Sequence, residues 1–433
     1  MRDAVPDPTQ TRSARLRVLV SSYRSAPHVG GQGVYVRALS RALADQGCEV
    51  SVISGPPYPD LDPDIGLIEL PSLDLFSVDN AFLQLRWKTL FDRADRTEWL
   101  SHNTGAFAEM ISYAIRLEAW VAQHGDQFDV IHDNQTLALA MAGVDQYLPV
   151  ITTLHHPIAI DRDFAVAGAA NWWRRALTRR WHSFVDHQAK AARALPRFLA
   201  VSDAARQSYA RHCGVDPDKV RVAFNGLDLD SFKPDPTVER DTDHVLALAS
   251  ADVPIKGLDV LIDAMARLKA RGRTPRLTVI GQLRDGPTKR ALIETGLLDS
   301  VEFVSGLSLD EIVALYRKAT VFVSASRFEG FGFPAAEAMA CGAPVIVSRG
   351  GALPEVAGEA GIVTEVEDAD GLADALERVL SDPELQQQMS AACAARAHSA
   401  FRWDEHARAS LDLYYDALSE RGRLPDVTEL AAQ

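Results

Sequence analysis

Short apolar runs alternate with helical patterns along almost the whole chain, and this alternation limits the folds that it can adopt. The strand interiors are continuous runs such as VLV and FLAV rather than alternating polar and apolar residues. Continuous runs of this kind are typical of strands buried on both faces of a parallel sheet, with helices as the crossover connections. The pattern therefore predicts an α/β fold with doubly wound sheets.

The predicted strands fall into two series. The first comprises residues 17–20, 49–53, 129–132, 150–154, 197–201 and 220–224; the second comprises residues 244–249, 276–280, 301–304, 321–324, 344–347 and 361–364. Residues 76–124 have helical spacing and are predicted to form one or two long helices. The charged segment 233–243, KPDPTVERDTD, has two prolines and no apolar periodicity, which indicates an interdomain linker.

The length of 433 residues fits two domains of roughly 200 residues each. We expect a disordered lead-in at 1–14, an N-terminal domain at 15–235, a C-terminal domain at 236–402, a terminal helix at 403–420 and a polar tail at 421–433. The lead-in lacks the apolar core of a secretory signal, and no run of about 18 apolar residues predicts a membrane span.

Composition excludes some classes of function. The formal net charge of −14 disfavours nucleic-acid binding, which needs a basic surface. The four cysteines, Cys48, Cys213, Cys341 and Cys393, lie far apart and never form a C-x-x-C pair. This spacing argues against a zinc site and a disulfide framework, and favours a cytoplasmic location.

The most informative motif is SRFEGFGFPAAEAMACGAP at residues 326–344. It follows a predicted strand, and its glycines Gly330 and Gly332 can adopt positive φ. Pro334 suits the first helical position, and Gly342 suits the end of the helix. A glycine turn before a helix leaves N–H groups at the positive end of the helix dipole, a geometry that binds phosphate. The alternative is a plain strand-to-helix connection with two solvated glutamates.

This string resembles the signature of the family-4 retaining glycosyltransferases, which have the GT-B fold. The resemblance covers residues 16–415 and includes VGGQGVYVRALSRALADQGCEV, FDVIHDN, ITTLHHP, FLAVSDAAR, VAFNGLDLDSFKP and KGLDVLIDAM. It implies two Rossmann-like domains facing across a cleft, an acceptor-side first domain, a second domain that binds a nucleotide sugar, and a C-terminal helix that crosses back to the first domain.

The resemblance also implies roles for single residues. Glu329 would contact the transferred sugar, and Glu337 would bind the nucleotide ribose. The backbone N–H groups around Phe331, Gly332 and Phe333 would hold the β-phosphate.

A lysine at the opening of a predicted helix, Lys256, can place a positive charge beside a diphosphate. Alone, it would more often be a solvated lysine, but beside the E-x7-E element a phosphate role is favoured. The family usually has an arginine five residues earlier, where this chain has Ala251. Arg327 is the candidate substitute.

Two further elements match positions of the family that lie in the cleft. The loop of Gly30, Gly31, Gln32 and Gly33 lacks the dinucleotide spacing G-x-G-x-x-G, and the resemblance assigns it to the donor. The alternative is a surface loop. His155 follows a predicted strand, where the family places a histidine that contacts the sugar, and its register is favoured over that of His156. The alternative is a structural histidine.

No metal ligand is predicted. The chain has many D-x-D triplets, such as Asp228–Asp230, and so many copies in loops make any one of them uninformative. We expect the diphosphate to be neutralised by Lys256, backbone amides and a helix dipole.

Residues 171–190, NWWRRALTRRWHSFVDHQAK, form a basic island in an acidic chain. On one helix, Trp173, Leu177, Trp181 and Phe184 would share a stripe. Two interpretations stay open: a helix that faces the core, and peripheral contact with an anionic membrane at its inner face.

The sequence thus predicts a cytoplasmic, metal-independent, retaining enzyme that moves a hexose from a nucleoside-diphosphate sugar to a hydroxyl acceptor. Catalysis is assigned to His155, Glu329 and Lys256. UDP-glucose is favoured as donor by commonness alone, with GDP-mannose and UDP-GlcNAc as the other choices; glycans, glycolipids and secondary metabolites are the acceptor classes. The alternative is a non-catalytic protein that binds nucleotide sugars, which the change at Ala251 would favour.

Overall fold

The computed structural model describes residues 15–26, 31–77, 80–84, 87–248 and 254–422. The strands are β1 (Arg17–Ser22), β2 (Glu49–Ser54), β3 (Gly66–Glu69), β4 (Val130–Asn134), β5 (Val150–Leu154), β6 (Phe198–Ala200), β7 (Val220–Val222), β8 (His244–Leu248), β9 (Arg276–Ile280), β10 (Val301–Val304), β11 (Val321–Ser324), β12 (Val345–Ser348) and β13 (Ile362–Thr364).

The helices are α1 (Gly31–Asp45), α2 (Trp87–Phe91), α3 (Arg93–Asn103), α4 (Glu109–His124), α5 (Ala140–Tyr147), α6 (Ile158–Ala167), α7 (Trp172–Trp181), α8 (Phe184–Ala194), α9 (Asp203–Cys213), α10 (Leu258–Ala270), α11 (Pro287–Glu294), α12 (Leu309–Lys318), α13 (Phe333–Ala340), α14 (Leu353–Ala357), α15 (Ala369–Ser381), α16 (Pro383–Ala400) and α17 (Trp403–Glu420).

Two parallel sheets carry the fold, as predicted. The first has the strand order β3-β2-β1-β4-β5-β6-β7, and the second has the order β10-β9-β8-β11-β12-β13. In the second sheet, β8 pairs in parallel with both β9 and β11. The chain order reverses at β8 and β11, and ligands of open α/β sheets bind outside the carboxyl ends of the strands at such a point. A ligand site is therefore expected beyond the carboxyl ends of β8 and β11.

By contact density, the described residues divide into two compact units. Unit 1 comprises residues 15–153, 186–198 and 407–422, and unit 2 comprises residues 154–185 and 199–406. The helix α17 begins in unit 2 and belongs to unit 1 from Ala407 onward. The domain boundary at residue 235 stays a prediction, and residues 1–14 and 423–433 lie outside the described residues.

The core of unit 2 explains why its strands are continuous apolar runs. Residues such as Val245 on β8, Val323 on β11 and Leu261 on α10 are buried in one hydrophobic cluster. Because helices cover the sheet, both faces of the central strands need apolar side chains. The predicted linker, residues 233–243, packs on the same unit. Its Arg240 guanidinium donates hydrogen bonds to the carbonyls of Ala319 and Gly342.

Most predicted elements are confirmed, with the following corrections. The strand β3 was not predicted, because it is four residues long and mostly exposed. The described part of 76–124 has three α-helices rather than one or two, since Asp92 caps a new helix, α3, and Gly105, at φ +75°, follows its end. Helix α13 begins at Phe333, so that Pro334 is its second residue.

The basic island 171–190 is two helices rather than one. Helix α7 ends at Trp181, and α8 starts at Phe184, which is buried. The predicted stripe is therefore limited to Trp173, Leu177 and Trp181. The core-facing interpretation is wrong for α7, because none of its residues is buried.

Candidate functional site

The turn between β11 and α13 adopts the backbone that the glycines predicted, with one difference. Gly332 has φ +101° and precedes α13 without a side-chain cap. The N–H groups of the first helical turn are therefore not occupied by a capping side chain. Gly330 is not in the positive-φ region; it is needed for close approach, since a Cβ there would lie 2.0 Å from the carbonyl oxygen of His155.

Neighbouring segments hold this turn in place. The Ser202 hydroxyl donates a 2.6 Å hydrogen bond to the carbonyl of Gly330. The N–H of Ala352 donates to the carbonyl of Glu329 at 2.9 Å. A Cβ on Gly351 would lie 2.2 Å from that same carbonyl oxygen, so glycine is required on this side as well. The turn is thus fixed before any ligand arrives.

Lys256 and Glu329 meet at this turn. The Lys256 Nζ lies 2.7 Å from Glu329 Oε1, which also accepts a 2.8 Å hydrogen bond from the Ser326 hydroxyl. The Lys256 side chain is 32% exposed and that of Glu329 is 16% exposed. The ammonium is therefore reachable from solvent but held in one position by a charged hydrogen bond.

A glycine explains why the lysine reaches the turn. Lys256 ends a short 3-10 turn, Pro254–Lys256, and is followed by Gly257 at φ +63°. A Cβ on Gly257 would lie 2.0 Å from the carbonyl oxygen of Ala325, just beyond the end of β11. The K-G pair thus packs the loop after β8 against the loop after β11, at the reversal in strand order.

Arg327 has structural partners. Its guanidinium donates to both carboxylate oxygens of Asp259, at 3.0 and 2.8 Å, to Glu367 at 2.7 Å and to the carbonyl of Pro254. These contacts use four of the five guanidinium N–H groups, which leaves one for any phosphate contact. Its phosphate role stays a prediction, and Ala251 lies outside the described residues.

Glu337 lies one turn into α13 and is half-buried. The buried Tyr316 hydroxyl donates a 3.0 Å hydrogen bond to its Oε2. Burial raises the pKa of Glu337 to about 7, and the hydrogen bond from Tyr316 opposes this rise. Near neutral pH this carboxyl group can therefore change its protonation state when a ligand binds.

The two histidines after β5 differ in their surroundings. Burial, together with the nearby His406, lowers the pKa of His155 to about 3, so its imidazole is neutral at pH 7. His156 Nε2 is hydrogen-bonded to the Asp161 carboxylate, and the His156 ring packs 5.2 Å from that of Phe328. His155 contacts the β11–α13 turn through its backbone, next to Gly330. Its sugar-contacting role stays a prediction.

The second glycine loop belongs to unit 1. Helix α1 already begins at Gly31, and a Cβ on Gly33 would lie 2.1 Å from the carbonyl oxygen of Ala26. Close packing against Ala26 therefore explains why residue 33 is a glycine. The Gln32 amide donates to the Tyr23 hydroxyl at 3.5 Å. Gly30 lies outside the described residues, and donor contact by Gly31, Gln32 and Gly33 stays a prediction.

Sequence reasoning missed three supporting residues. Tyr316 orients Glu337, Ser326 orients Glu329, and the Glu355 carboxylate accepts the N–H groups of Asp203 and Ala204, at 2.8 and 2.7 Å, at the start of α9. Ser326 lies inside the motif and could have been found there. The other two are distant in sequence from their partners, and only the fold brings them together.

The aspartates of one D-x-D triplet serve local structure. Asp228 accepts hydrogen bonds from the N–H groups of Asp230 and Ser231, which shapes a loop. Among the residues that the structure describes, no group of three or more His, Cys, Asp and Glu side chains is arranged to hold a metal ion. The four cysteines are buried and form no disulfide.

Comparison with known proteins agrees with the geometry. The family model described as Glycosyltransferase Family 4 matches residues 29–231, and that described as Glycosyl transferases group 1 matches residues 231–396. The chain is 39% identical over 411 residues to an MMP alpha-(1->4)-mannosyltransferase of Mycolicibacterium hassiacum, covering 93% of this chain and 99% of that protein. It is 30% identical over 415 residues to a D-inositol 3-phosphate glycosyltransferase of Frankia alni, covering 90% and 95% of the two chains.

A solved structure supports the fold. The sucrose-phosphate synthase of Thermosynechococcus elongatus superposes with a TM-score of 0.69 at 22% identity, covering 94% of this chain and all of that one. At this identity the likeness concerns the fold alone. With two family models matched in chain order and a relative matched along nearly its whole length, the chain belongs to the group 1, family 4 glycosyltransferases and has their GT-B fold.

Proposed function

We propose that the protein is a retaining, metal-independent hexosyltransferase that moves a sugar from a nucleoside-diphosphate donor to a hydroxyl group of a carbohydrate acceptor. The observation that carries the proposal is the meeting of Lys256 with Glu329 beside the uncapped start of α13. A cation, a hydrogen-bonding carboxylate and free amides at one point suit a sugar diphosphate.

Each residue has a distinct task in this proposal. Lys256 and the amides around Phe331, Gly332 and Phe333 stabilise the charge that develops on the leaving diphosphate. Glu329 accepts hydrogen bonds from the sugar hydroxyls, and Glu337 accepts them from the ribose. His155 is neutral at pH 7 because its pKa is about 3, so it contributes a hydrogen bond rather than a charge.

The proposed reaction is a front-face transfer. The bond between the anomeric carbon and the diphosphate oxygen breaks, and the acceptor oxygen bonds to that carbon on the same face. The acceptor's proton passes to the leaving diphosphate, which departs as the nucleoside diphosphate. No carboxylate has been assigned the role of a covalent nucleophile, so electrostatic stabilisation of the leaving group supplies most of the rate enhancement.

We propose GDP-mannose as the donor, ahead of UDP-glucose and UDP-GlcNAc. The support is the name of the 39% identical relative, an alpha-(1->4)-mannosyltransferase. The same name favours a sugar 4-hydroxyl as the acceptor group. A purely nucleotide-sugar-binding role is less favoured, since relatives that match along nearly the whole chain are named transferases.

A thermal-shift panel tests the donor proposal. GDP-mannose, UDP-glucose, UDP-GlcNAc and their free diphosphates would each be titrated against the purified protein. A ligand at 100 times its Kd should add about 2.7 kcal/mol to the free energy of unfolding. Stabilisation by GDP-mannose at the lowest concentration supports the proposal, and preferential stabilisation by a UDP-sugar would contradict the choice of base.

A chelator tests metal independence. The rate of transfer in a large excess of EDTA should match the rate in untreated buffer. The reason is that Lys256 and backbone amides supply the positive charge. Loss of transfer that added Mg²⁺ or Mn²⁺ restores would overturn this part of the proposal.

Among the described residues, no helix is long and apolar enough to cross a membrane. We keep peripheral contact with an anionic membrane, through residues 171–190 in the cytoplasm, as a separate proposal. It concerns the surface of α7 rather than the donor site.

A further inference from the structure

Helix α7 exposes large apolar side chains to solvent. Trp172, Trp173, Leu177 and Trp181 are 72%, 61%, 59% and 39% exposed. Residues four apart share one face of a helix, so Trp173, Leu177 and Trp181 form a single apolar stripe. The Trp172 ring stacks on that of Trp173, with ring centroids 5.0 Å apart and planes at 7°.

Arg174 and Arg180 border this stripe, and Arg175 and Arg179 lie on the opposite side of the helix. Arg174, Arg175, Arg179 and Arg180 are all exposed. In the part of the chain that the structure describes, no carboxylate pairs with Arg174, Arg175 or Arg179. Some arginines elsewhere do have acidic partners, as Arg41 has in Asp45 and Asp64, and Arg271 in Asp374 and Glu377. The four arginines and four apolar side chains of α7 are called the α7 surface below.

The α7 surface is unusual for a folded chain. A helix of ten residues is only marginally stable in water unless its apolar face is covered. Asn171 caps its start by accepting a 2.9 Å hydrogen bond from the N–H of Arg174, but none of its residues is buried. Exposed apolar patches of this kind mark interaction sites.

We propose that the α7 surface binds the interface of an anionic lipid membrane, with the helix lying in the membrane plane. An aromatic stripe bordered by arginines is typical of interfacial helices. The formal net charge of −14 means that only a local basic patch could contact an anionic surface, and the arginines of α7 form such a patch.

Two other occupants fit less well. A second copy placed by twofold symmetry would bring the same arginines against one another, because such an interface is self-complementary. A neutral glycan could stack on the tryptophans but would supply no counter-charge to Arg174, Arg175 or Arg179. The two remain as outcomes of the test.

The experiment is sedimentation of the full-length protein with sucrose-loaded vesicles of 70% phosphatidylcholine and 30% phosphatidylglycerol (roughly cell-like anionic content), with pure phosphatidylcholine for comparison. Each arginine near an anionic surface contributes about fivefold to partitioning. Replacing Arg174, Arg175, Arg179 and Arg180 by Gln should therefore weaken binding at least about 25-fold, since Arg174 and Arg180 border the apolar stripe and contribute about fivefold each. Raising the ionic strength from about 0.1 to 1 M, which shortens the Debye length from about 10 to 3 Å, should mimic the substitution.

A matched control removes the same charge from elsewhere. Arg37, Arg41, Arg271 and Arg402 are exposed and paired with acidic residues. Their replacement by Gln lowers the net charge equally but should change binding by less than about fivefold, since none of these arginines belongs to the α7 surface. Equal losses in the two quadruple variants would overturn the proposal.

Insertion is tested separately from charge. Brominated lipid should quench the tryptophan fluorescence of bound wild-type protein, and the double variant Trp172→Ala/Trp173→Ala should lose most of this quenching. Absence of vesicle binding by wild-type protein at low salt would overturn the proposal, whether or not the α7 surface then binds a soluble polyanion or a second copy. Neither readout depends on transfer activity, so the donor proposal is judged independently.

Discussion

Nucleotide affinity should depend on pH through Glu337. Burial raises the pKa of this carboxyl group to about 7. If the ionised carboxylate is the form that accepts hydrogen bonds from the ribose hydroxyls, the protonated fraction cannot bind in this way. The apparent Kd equals the intrinsic Kd divided by the ionised fraction. That fraction is about 0.9 at pH 8 and about 0.09 at pH 6 for a pKa of about 7.

The expected effect is therefore about a tenfold weaker binding of GDP at pH 6 than at pH 8, or about 1.4 kcal/mol. Because the pKa of Glu337 is raised to about 7, the affinity for GDP should fall as the pH drops through 7 and should be constant well above it. Protonation of His155 should not contribute to the pH dependence of affinity between about pH 6 and 8, because its pKa is about 3. By linkage, bound nucleotide should lower the pKa of Glu337.

Isothermal titration calorimetry of GDP from pH 5.5 to 8.5 measures this effect. The diphosphate itself titrates in the same range, so Glu337→Gln is the control, and the difference between the two pH profiles isolates the carboxyl group. Tyr316→Phe should move the midpoint upward, because the Tyr316 hydroxyl stabilises the charged form at 3.0 Å. Identical pH profiles for wild type and Glu337→Gln would refute the reasoning.

Three further predictions concern the β11–α13 turn. Lys256→Ala should lower kcat/KM about 10²–10³-fold with little change in Tm, whereas Lys289→Ala, which removes another surface-paired lysine, should not; normal turnover in Lys256→Ala would make this residue a structural ion-pair partner only. Glu329→Ala should weaken binding of the nucleotide sugar more than that of the free diphosphate, and calorimetry that finds equal losses would remove Glu329 from the sugar site. Gly330→Ala should destabilise unit 2 by roughly 1–3 kcal/mol, because its Cβ would lie 2.0 Å from the His155 carbonyl oxygen. Gly31→Ala, whose Cβ has nothing within 4 Å, is the matched variant, and equal Tm values for the two would contradict the packing argument.

Much of the fold could be predicted from sequence because its central strands are buried on both faces. A run such as VLV in β1 indicates burial on both faces. The helices between consecutive strands then indicate that the strands pair in parallel. The exposed edge strand β3 gives no such signal. The break between α7 and α8 could not be predicted either, since the helical spacing of apolar residues continues through His182 and Ser183.

The site was predictable to the extent that it is local. The glycine turn and the two glutamates of the motif lie within twelve residues, and the helix start follows from its residue types. Contacts between distant segments were not predictable. Arg327 looked available for phosphate, yet the fold places Asp259 and Glu367 around its guanidinium. Likewise, only the fold shows that residue 257 must be a glycine, because its backbone lies so close to Ala325.

The central claim is retaining transfer at the β11–α13 turn, and product stereochemistry tests it most directly. GDP-mannose, whose sugar is α-linked, would be incubated with the protein and short mannosides, and the product's anomeric proton and carbon would be followed by NMR from the first turnovers. The account predicts an α-mannoside and one equivalent of GDP, with both lost together in Lys256→Ala. A β-linked product, or an α-mannoside formed at the wild-type rate by Lys256→Ala, would contradict it.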